Sequence, residues 1–363
     1  MKERALGGKA LSAKASGNAE VRRASGVRKL DTRELLAAQR PHLERTALEP
    51  TQLRPAAVAP TSAPSAGAER IELIVEGSSA RLLLSCGAEA APLTVLHAAI
   101  SASGASVLQA DQHNDAESGR TFQRLSLALG TAPGARSILE RWLGQIAQRS
   151  GLNFSVTLRE QRRRVAIFVS KYDHCLYDLL LRQRQGELGC DIPLIVSNHP
   201  DLEPLARQFG IDYECIGKAD GAQPGDKLAM EAAQCALLED RQIELVVLAR
   251  YMQILSDSFI VRWPGRVINI HHSFLPAFIG AKPYHQAQRR GVKLIGATAH
   301  YATAELDEGP IIEQDVARCG HKDSLDDLLR KGRDLERQVL GRAVRWHLED
   351  RVFILGHRTV VFE

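Results

Sequence analysis

The sequence predicts an α/β domain built on a doubly wound, mostly parallel sheet, with a smaller βαββαβ unit ahead of it. From Val165 onward, short apolar segments of strand type alternate with longer segments of helical periodicity. Such alternation is typical of a parallel sheet covered by helices on both faces. Residues 71–158 show strands and helices in a different order, and a Pro/Ala/Ser-rich stretch precedes them. We therefore expect a leader at 1–68 and two folded domains at 69–160 and 164–363.

The leader is rich in Ala, Ser, Arg and Pro and ends in the tract 55–68, which is too poor in apolar side chains to order itself. Its first thirty residues hold eight Lys or Arg against two Glu, a balance typical of organellar transit peptides. An ordinary solvated tail explains the same composition. We expect the protein in the cytoplasm or, if the leader is a transit peptide, in the mitochondrial matrix or another organelle.

Charge and cysteine usage exclude several classes of function. The net charge is +4, but residues 1–70 hold 13 Lys/Arg against 7 Asp/Glu, which leaves 34 basic and 36 acidic residues in the rest. A near-neutral folded part lacks the basic surface that nucleic-acid binding requires. The six cysteines form no Cys-x-x-Cys pair, and no apolar run approaches 18 residues. We expect no disulfide framework, metal site, membrane span or nucleic-acid partner.

The first folded segment follows the pattern strand, helix, strand, strand, helix, strand. A βαββαβ unit of this ferredoxin-like type has one sheet with both helices on one face, and it suggests regulation or dimerisation rather than chemistry. The expected strands are 81–86, 105–113, 121–129 and 153–158, and the expected helices are 92–103 and 135–150.

The second folded segment begins at the short apolar strand 165–170, after the basic run 159–164. Ligands of doubly wound sheets bind outside the carboxyl ends of the strands, which here points to the residues after Ser170, Ala249 and Ile270. The further expected strands are 193–197, 211–216, 244–249, 266–270, 293–303 and 311–317, and the expected helices are 175–185, 202–209, 225–240, 257–263 and 324–348.

Polar side chains follow the strand 266–270 where it leaves the sheet. Asn269 and His271 are expected on one face of this strand and His272 on the other, because strand side chains alternate. One face would then carry an amide donor and an imidazole together. Packing and capping are the alternative explanation for these residues.

Asp307 lies in a predicted turn between the strands 293–303 and 311–317, in the string Asp-Glu-Gly-Pro-Ile-Ile. An aspartate in such a place is usually only a turn residue. Its position alone therefore does not identify it as catalytic.

The segment 269–276, with Asp307 following His271 by 36 residues, resembles the folate-dependent formyltransferase superfamily. The resemblance covers roughly residues 165–350. It implies a formyltransferase-like variant of the Rossmann fold in which Asn269, His271 and Asp307 are catalytic. Further matching segments are 248–254 and 281–287.

Within that superfamily the chain is most similar to the formyltetrahydrofolate deformylases, which carry an ACT domain ahead of the catalytic domain. His272 stands where transferases usually have proline, and 111–122 and 171–180 also resemble the deformylase pattern. The family's reaction is hydrolysis of 10-formyltetrahydrofolate to formate and tetrahydrofolate. The resemblance implies that Asn269 and His271 polarise the formyl oxygen, while Asp307 orients water or His271 and relays a proton.

The resemblance also implies the partners and the substrate-binding residues. The folate is the substrate, no cofactor or metal is needed, and the ACT-like domain would form a homo-oligomer. Core packing is the alternative role for Met252 and Ile254, and a structural role is the alternative for His300. The implied binding residues are Arg250, Tyr251, Met252, Ile254, His272, Ser273 and His300.

Two other readings stay open: a formyltransferase that uses a small amine acceptor, and a catalytically inactive folate-binding regulatory protein. A glycinamide ribonucleotide formyltransferase typically has a glycine-rich phosphate loop after the first strand, whereas residues 170–174 contain no glycine. A methionyl-tRNA formyltransferase would carry a further C-terminal domain and a basic surface. The turn 87–93 lacks the Asp-x-x-Gly that is usual in ACT domains, which argues against the usual sensing of amino acids.

Overall fold

The computed structural model describes residues 69–217, 224–276 and 283–363. The predicted leader 1–68 lies outside the described residues, and so does part of the matching segment 281–287. No helix within the described ranges is long and apolar enough to cross a membrane.

The N-terminal sheet has five strands in the order β3-β4-β2-β1-β5 and two helices. Both helices are amphipathic and bury apolar side chains, such as Leu96 of the first and Leu139 of the second, in one cluster with the strands. The elements are β1 Arg70–Glu76, β2 Ser79–Gly87, α1 Leu93–Ala102, β3 Ser106–Asp115, β4 Arg120–Ala128, α2 Ala135–Arg149 and β5 Asn153–Leu158.

Strand β1 was not among the predicted elements. It pairs antiparallel with β2 and parallel with β5, so it separates two strands that a four-stranded unit would place side by side. A two-residue loop, Gly77 and Ser78, connects it to β2, and Gly77 has a φ of 58° that glycine adopts without steric cost. The other six elements lie within two residues of their predicted bounds.

The C-terminal sheet has seven strands in the order β12-β11-β10-β9-β6-β7-β8. The five strands from β10 to β8 are parallel to one another. Strand β11 pairs antiparallel with β10, and β12 pairs antiparallel with β11. The predicted mostly parallel sheet is therefore confirmed. The strands are β6 Arg163–Val169, β7 Cys190–Ser197, β8 Asp212–Cys215, β9 Leu245–Leu248, β10 Val267–His271, β11 Leu294–Tyr301 and β12 Ile311–Arg318.

Helices cover both faces of this sheet. Side chains of α3, α4, α7 and α8 share one apolar cluster with the strands, and those of α5 and α6 share another. The helix α7 was not predicted. The helices are α3 His174–Arg184, α4 Glu203–Phe209, α5 Pro224–Asp240, α6 Asp257–Arg262, α7 Pro283–Arg290 and α8 Leu325–Leu348.

The order of the strands reverses between β6 and β9. From β6 the chain builds β7 and β8 on one side, and then β9 and β10 on the other. The carboxyl ends of β6 and β9 therefore carry connections that lead away from each other, which opens the crevice in which ligands of such sheets bind.

A C-terminal hairpin, which was not predicted, packs against the N-terminal sheet. Its strands are β13 Val352–Leu355 and β14 Arg358–Val361. The rings of Phe122 in β4 and Phe353 in β13 have centroids 5.5 Å apart, and Phe362 stacks edge-on against Phe353. The end of the chain thus completes an apolar core that begins with the N-terminal strands.

Asp350, just ahead of that hairpin, is a buried anion shared by the two sheets. Its Oδ2 lies 2.8 Å from Nε of Arg81 in β2, and its Oδ1 accepts a hydrogen bond from Arg163 in β6. Burial raises the pKa of the Asp350 carboxyl, but the surrounding arginines outweigh burial and hold that pKa below its ordinary value. The carboxylate is therefore ionised and ties the N-terminal sheet to the first strand of the C-terminal sheet.

Candidate active site

A cavity of about 590 Å³ lies at the carboxyl ends of β6, β9 and β10, where the strand order reverses. Its lining includes Asn269, His271 and Asp307. The remaining lining includes two chemically different groups of side chains. We define the apolar wall as Met252, Ile254, Leu255, Ile260 and Leu306. We define the polar wall as Tyr172, His174, Arg250, His272, Tyr284 and Glu336.

His271 and Asp307 are in direct contact in this cavity. Nδ1 of His271 lies 3.1 Å from Oδ1 of Asp307, and both side chains are nearly buried. Burial raises the pKa of Asp307, but the hydrogen bond from His271 and the nearby imidazoles outweigh it, so the pKa lies below its ordinary value. The ionised carboxylate accepts a hydrogen bond from Nδ1. His271 Nε2 is buried and has no partner among the described residues, which leaves it available to a ligand.

The turn that carries Asp307 has one residue in the left-handed conformation and one close approach of two backbone segments. Asp307 has a φ of 59°, a left-handed conformation that aspartate and asparagine tolerate better than most residues. A Cβ at Gly309 would lie 1.7 Å from the carbonyl oxygen of Tyr301, so only glycine fits there. These requirements explain the first and third residues of the Asp-Glu-Gly string in physical terms.

Asn269 is oriented by His300. His300 Nδ1 lies 3.0 Å from the carbonyl oxygen of Tyr301, which can only accept, so Nδ1 carries the proton. Burial lowers the pKa of His300, so the ring is neutral and Nε2 is an acceptor. Asn269 Nδ2 donates to that Nε2 over 3.2 Å.

The prediction that His272 faces away from His271 is wrong. β10 ends at His271, so the alternation of strand side chains stops there, and His272 lines the same cavity. The two imidazole centroids are 5.3 Å apart. Burial, reinforced by the charge of Arg250, lowers the pKa of His272 to about 4, so its ring is neutral near pH 7.

Four predicted binding residues follow β9 and reach the cavity by different means. Met252 and Ile254 present exposed apolar side chains, at 54 % and 61 % exposure. Tyr251 is buried, and its hydroxyl accepts a hydrogen bond from Gln234 Nε2 at 3.1 Å. Arg250 is nine-tenths buried, and its guanidinium lies 5.2 Å from the centroid of the Tyr172 ring.

The segment after β9 is held by Ser170, which follows β6. Its hydroxyl accepts a hydrogen bond from the backbone N–H of Met252 at 2.9 Å and donates to Asn198 Oδ1 at 2.6 Å. Ser170 thereby links the residues that follow β6, β7 and β9. This link fixes the backbone that presents Met252 to the cavity.

Ser273 is not among the residues that line the cavity, contrary to its assignment as a binding residue. It is buried, and its carbonyl accepts a hydrogen bond from Thr298 Oγ1 in β11 at 2.9 Å. Thr298 Oγ1 also accepts from the backbone N–H of Leu275 at 3.1 Å. The contacts of Thr298 hold this segment against β11 rather than in the cavity.

Glu336 was not predicted as a site residue, and it organises the polar wall. It is 1 % exposed, and its Oε1 accepts a hydrogen bond from the Tyr284 hydroxyl at 2.8 Å. Its Oε2 accepts from His174 Nε2 at 2.7 Å and lies 3.5 Å from Arg250 Nε. Burial raises the pKa of Glu336, but these partners outweigh burial and lower the pKa below its ordinary value.

The sequence does contain a signal for Glu336. It lies on the face of α8 that carries the buried residues Leu328, Leu335 and Val339, where a carboxylate is out of place unless it is paired. A second signal is Gly332, one turn earlier, where a Cβ would lie 2.2 Å from Tyr284 Cζ. The missing side chain makes room for the tyrosine that binds Glu336.

His174, Cys175 and Glu336 have donor atoms within 4.8 Å of one another, the only such group in the described part of the chain. Burial raises the pKa of Cys175 well above its ordinary value, so the sulfur is a protonated thiol. The Glu336 oxygens already bind His174 and Tyr284. These residues suit a hydrogen-bonded wall better than a metal site.

Comparisons with known proteins agree on one family. The family model described as Formyl transferase matches residues 163–344. A formyltetrahydrofolate deformylase of Synechocystis sp. is 51 % identical over 79 % of this chain and all of its own length. The formyltetrahydrofolate deformylase of Bacillus subtilis is 43 % identical over 78 % of this chain and 93 % of its own.

Solved structures show the same relationship. A formyltetrahydrofolate deformylase from Burkholderia mallei superimposes with a TM-score of 0.72 at 44 % identity, covering 79 % of this chain and all of that one. Glycinamide ribonucleotide transformylase 1 from Symbiobacterium toebii has a TM-score of 0.52 at 32 % identity, covering 56 % of this chain and 95 % of that one. The match to the deformylase covers a larger share of the chain than residues 163–344 do.

Proposed function

This chain belongs to the formyltetrahydrofolate deformylase family, and from that premise we propose that it hydrolyses 10-formyltetrahydrofolate with Asn269, His271 and Asp307 as its catalytic residues. The observation that carries the assignment of residues is the His271–Asp307 contact. Asp307 occupies Nδ1 of this cavity-lining imidazole and leaves Nε2 without a partner among the described residues. An imidazole held in this way can donate to an oxyanion and move a proton.

The cavity suits a folate. Met252, Ile254 and Leu306 expose much of their apolar surface at the apolar wall, which a flat aromatic ring system would cover. The pterin and the attached aryl group would lie against these side chains. The N-formyl group would then face Asn269 and His271.

Hydrolysis requires stabilisation of the oxyanion that forms when water adds to the formyl carbon. Asn269 has a second amide N–H besides the one bound to His300, and His271 Nε2 can supply another donor. Asp307 orients His271 and stabilises its charged form. These groups require neither a metal ion nor a cofactor, because the developing charge is met by N–H donors.

The protons balance through the His271–Asp307 pair. Water loses a proton to the pair as the carbon–oxygen bond forms, and the pair returns it to the folate nitrogen as the carbon–nitrogen bond breaks. The products are tetrahydrofolate and formic acid, which ionises to formate and one proton at neutral pH. Water is consumed, and no other acceptor takes part.

The experiment that tests this function supplies 10-formyltetrahydrofolate without any amine acceptor. Wild type should release formate and tetrahydrofolate in equal amounts. Asp307→Asn should lose at least about a hundredfold in kcat, because asparagine accepts the left-handed backbone but cannot stabilise the charged imidazole. The matched control is Glu308→Gln, which removes an exposed neighbouring carboxylate that does not line the cavity.

Each alternative predicts another result. Formate that appears only when an amine is supplied would make the protein a transferase. Folate binding without turnover under either condition would favour an inactive binding protein. Equal loss in Asp307→Asn and Glu308→Gln would contradict the role of Asp307.

Homo-oligomerisation through the N-terminal sheet is a further part of the proposal. In the described residues, β3 pairs only with β4 and lies at the edge of the sheet, with Val107 and Leu108 exposed. An open edge strand with apolar side chains offers pairing to a second copy. The cytoplasm and, through the basic leader, an organelle such as the mitochondrial matrix remain the two proposed locations.

A further inference from the structure

Arg250 is a buried cation whose hydrogen-bonding capacity the described residues do not use. Its side chain is 10 % exposed and lines the cavity. Its Nε is buried without a hydrogen-bond partner, and the nearest carboxylate oxygen, Glu336 Oε2, is 3.5 Å away. A buried guanidinium normally binds anions through its forked N–H groups. This one lies over the Tyr172 ring, and its ion pair with Glu336 is too long to be a hydrogen bond.

The backbone at Arg250 is strained as well. Its φ of 65° lies in the left-handed region, which glycine adopts freely and a residue with a long side chain adopts only at a cost in free energy. Such a cost at the carboxyl end of a central strand points to a use for the side chain. A structural role alone would be served at lower cost by glycine.

The polar wall offers no free carboxylate to compete for this cation. Both oxygens of Glu336 are bound, one by Tyr284 and one by His174. His272 is neutral near pH 7 because its pKa is lowered to about 4, chiefly by burial. Arg333 lines the same cavity and adds a second positive charge. The cavity lining as a whole is not cationic, since Glu305 and Asp307 also belong to it, but Arg250 keeps N–H donors that suit a carboxylate and that a protonated amine could not use.

A series of contacts connects the polar wall to the reaction centre. The His271 and His272 rings are 5.3 Å apart, the His272 and Tyr284 rings are 6.2 Å apart, and Tyr284 donates to Glu336 beside Arg250. An anion produced at His271 therefore arises next to this wall. Formate is such an anion, and its planar carboxylate matches the guanidinium fork.

We propose that the polar wall is a carboxylate subsite in which the Arg250 guanidinium binds the formate that hydrolysis releases. This inference rests on the proposed function for the origin of the ligand. The glutamate tail of folate is the other carboxylate of the reaction. The deep burial of Arg250 favours formate, because the tail has to extend towards solvent.

The test measures binding of sodium formate by calorimetry, with tetrahydrofolate present, and inhibition of hydrolysis by added formate. Arg250→Gly removes the guanidinium and suits the left-handed backbone. It should weaken formate binding and formate inhibition by at least about tenfold, the effect of losing a charge-assisted hydrogen bond. The control is Arg330→Ala, which removes an exposed arginine of α8 that does not line the cavity and should leave both constants unchanged.

A second variant tests the charge balance in the opposite direction. Glu336→Gln removes the negative charge beside Arg250 and should tighten formate binding by at least about threefold, because one repulsive charge is lost. It keeps an oxygen that can accept from Tyr284 or His174. Thermal unfolding of each variant verifies that it is folded.

The arms of the experiment separate formate from the folate tail. Unchanged formate affinity in both variants would overturn the proposal. The other contrary result is that Arg250→Gly raises KM for 10-formyltetrahydrofolate, leaves KM unchanged for a formylated tetrahydropteroate that lacks the tail, and leaves formate affinity intact. That result would show that Arg250 binds the folate tail, and it would overturn the proposal equally. A wild type that binds formate and yet does not hydrolyse would contradict the proposed function alone, because binding is measured without turnover.

Discussion

Nε2 of His300 accepts a hydrogen bond from Nδ2 of Asn269 over 3.2 Å, and this contact fixes which end of the Asn269 amide faces His300. The Tyr301 carbonyl holds the proton on the opposite ring nitrogen. His300 is therefore a positioning residue for the amide. Nε2 of the same ring lies 3.8 Å from Asp307 Oδ1, so His300 is next to both Asn269 and Asp307.

His300→Leu should lower kcat by about tenfold with little change in KM, because the Asn269 amide loses its orientation and donates less well to the oxyanion. Steady-state kinetics on His300→Leu, Asn269→Ala and the double variant check this. The losses should be less than additive, since both variants remove one interaction. Strictly additive losses, or no recovery in His300→Gln, which restores an acceptor, would show that His300 only packs.

Gly332→Ala should reduce the free energy of unfolding by about 1 to 3 kcal/mol, the usual cost of overpacking. The added Cβ would lie 2.2 Å from Tyr284 Cζ, so the ring must move away from Glu336. Urea unfolding measures the change, and Gly189→Ala is the control because a Cβ there meets no atom within 4 Å. Tyr284→Ala in the same chain should remove the clash. A fully stable Gly332→Ala would contradict the packing described for α8.

The stability of the protein should decrease in acid through His347. Burial lowers the pKa of His347 from 6.5 to about 3, and Nδ1 of the neutral ring is hydrogen-bonded to the Tyr301 hydroxyl at 2.8 Å. The unfolded chain takes up a proton below about pH 6.5, whereas the folded chain does not until about pH 3. The contribution is therefore intact above pH 6.5. It falls by up to about 1.4 kcal/mol per pH unit between those two values.

Urea unfolding at pH 7 and at pH 5 tests this dependence. His347→Gln should have a smaller difference between the two pH values than wild type, because the titrating ring is gone. His97→Gln removes an exposed histidine of α1 and should retain the wild-type difference. The same difference in all three proteins would exclude His347 as the cause.

Leu108→Glu should reduce the mass of the assembly in solution if the edge strand β3 pairs with a second copy. Leu108 is 67 % exposed, and a charge on an edge strand opposes pairing. Light scattering after size-exclusion chromatography measures the mass. Val261→Glu places the same charge on α6, at a residue of similar exposure, and should have no effect. A monomeric wild type would end the proposal of oligomerisation.

The sequence allowed much of the fold to be predicted because its strands and helices have clear periods. Asn269 and His271 could be assigned to one face since β10 continues as far as His271. The same argument was wrong for His272, because the strand ends and its alternation no longer applies. Strand β1 was missed, although its Ile71, Leu73 and Val75 are buried at one face of the sheet.

The polar wall could not be predicted because tertiary contacts create it. Tyr172, His174, Arg250, Tyr284 and Glu336 come from separate segments, and no single spacing along the chain relates them. The positive φ of Arg250 has no signal in residue type either, since arginine rarely adopts it. For Asp307, only the family resemblance distinguished it from an ordinary turn residue.

The contact of Phe353 and Phe362 with Phe122 bears on how the protein is made. During synthesis the N-terminal strands emerge from the ribosome long before the C-terminal hairpin that covers them has been translated. During that interval Ile74, Leu83 and Phe122 lack their apolar cover and present a surface that chaperones recognise. A stop codon just after α8 would make this exposure permanent. Such a shortened product should aggregate or be degraded even though Asn269, His271 and Asp307 are all present.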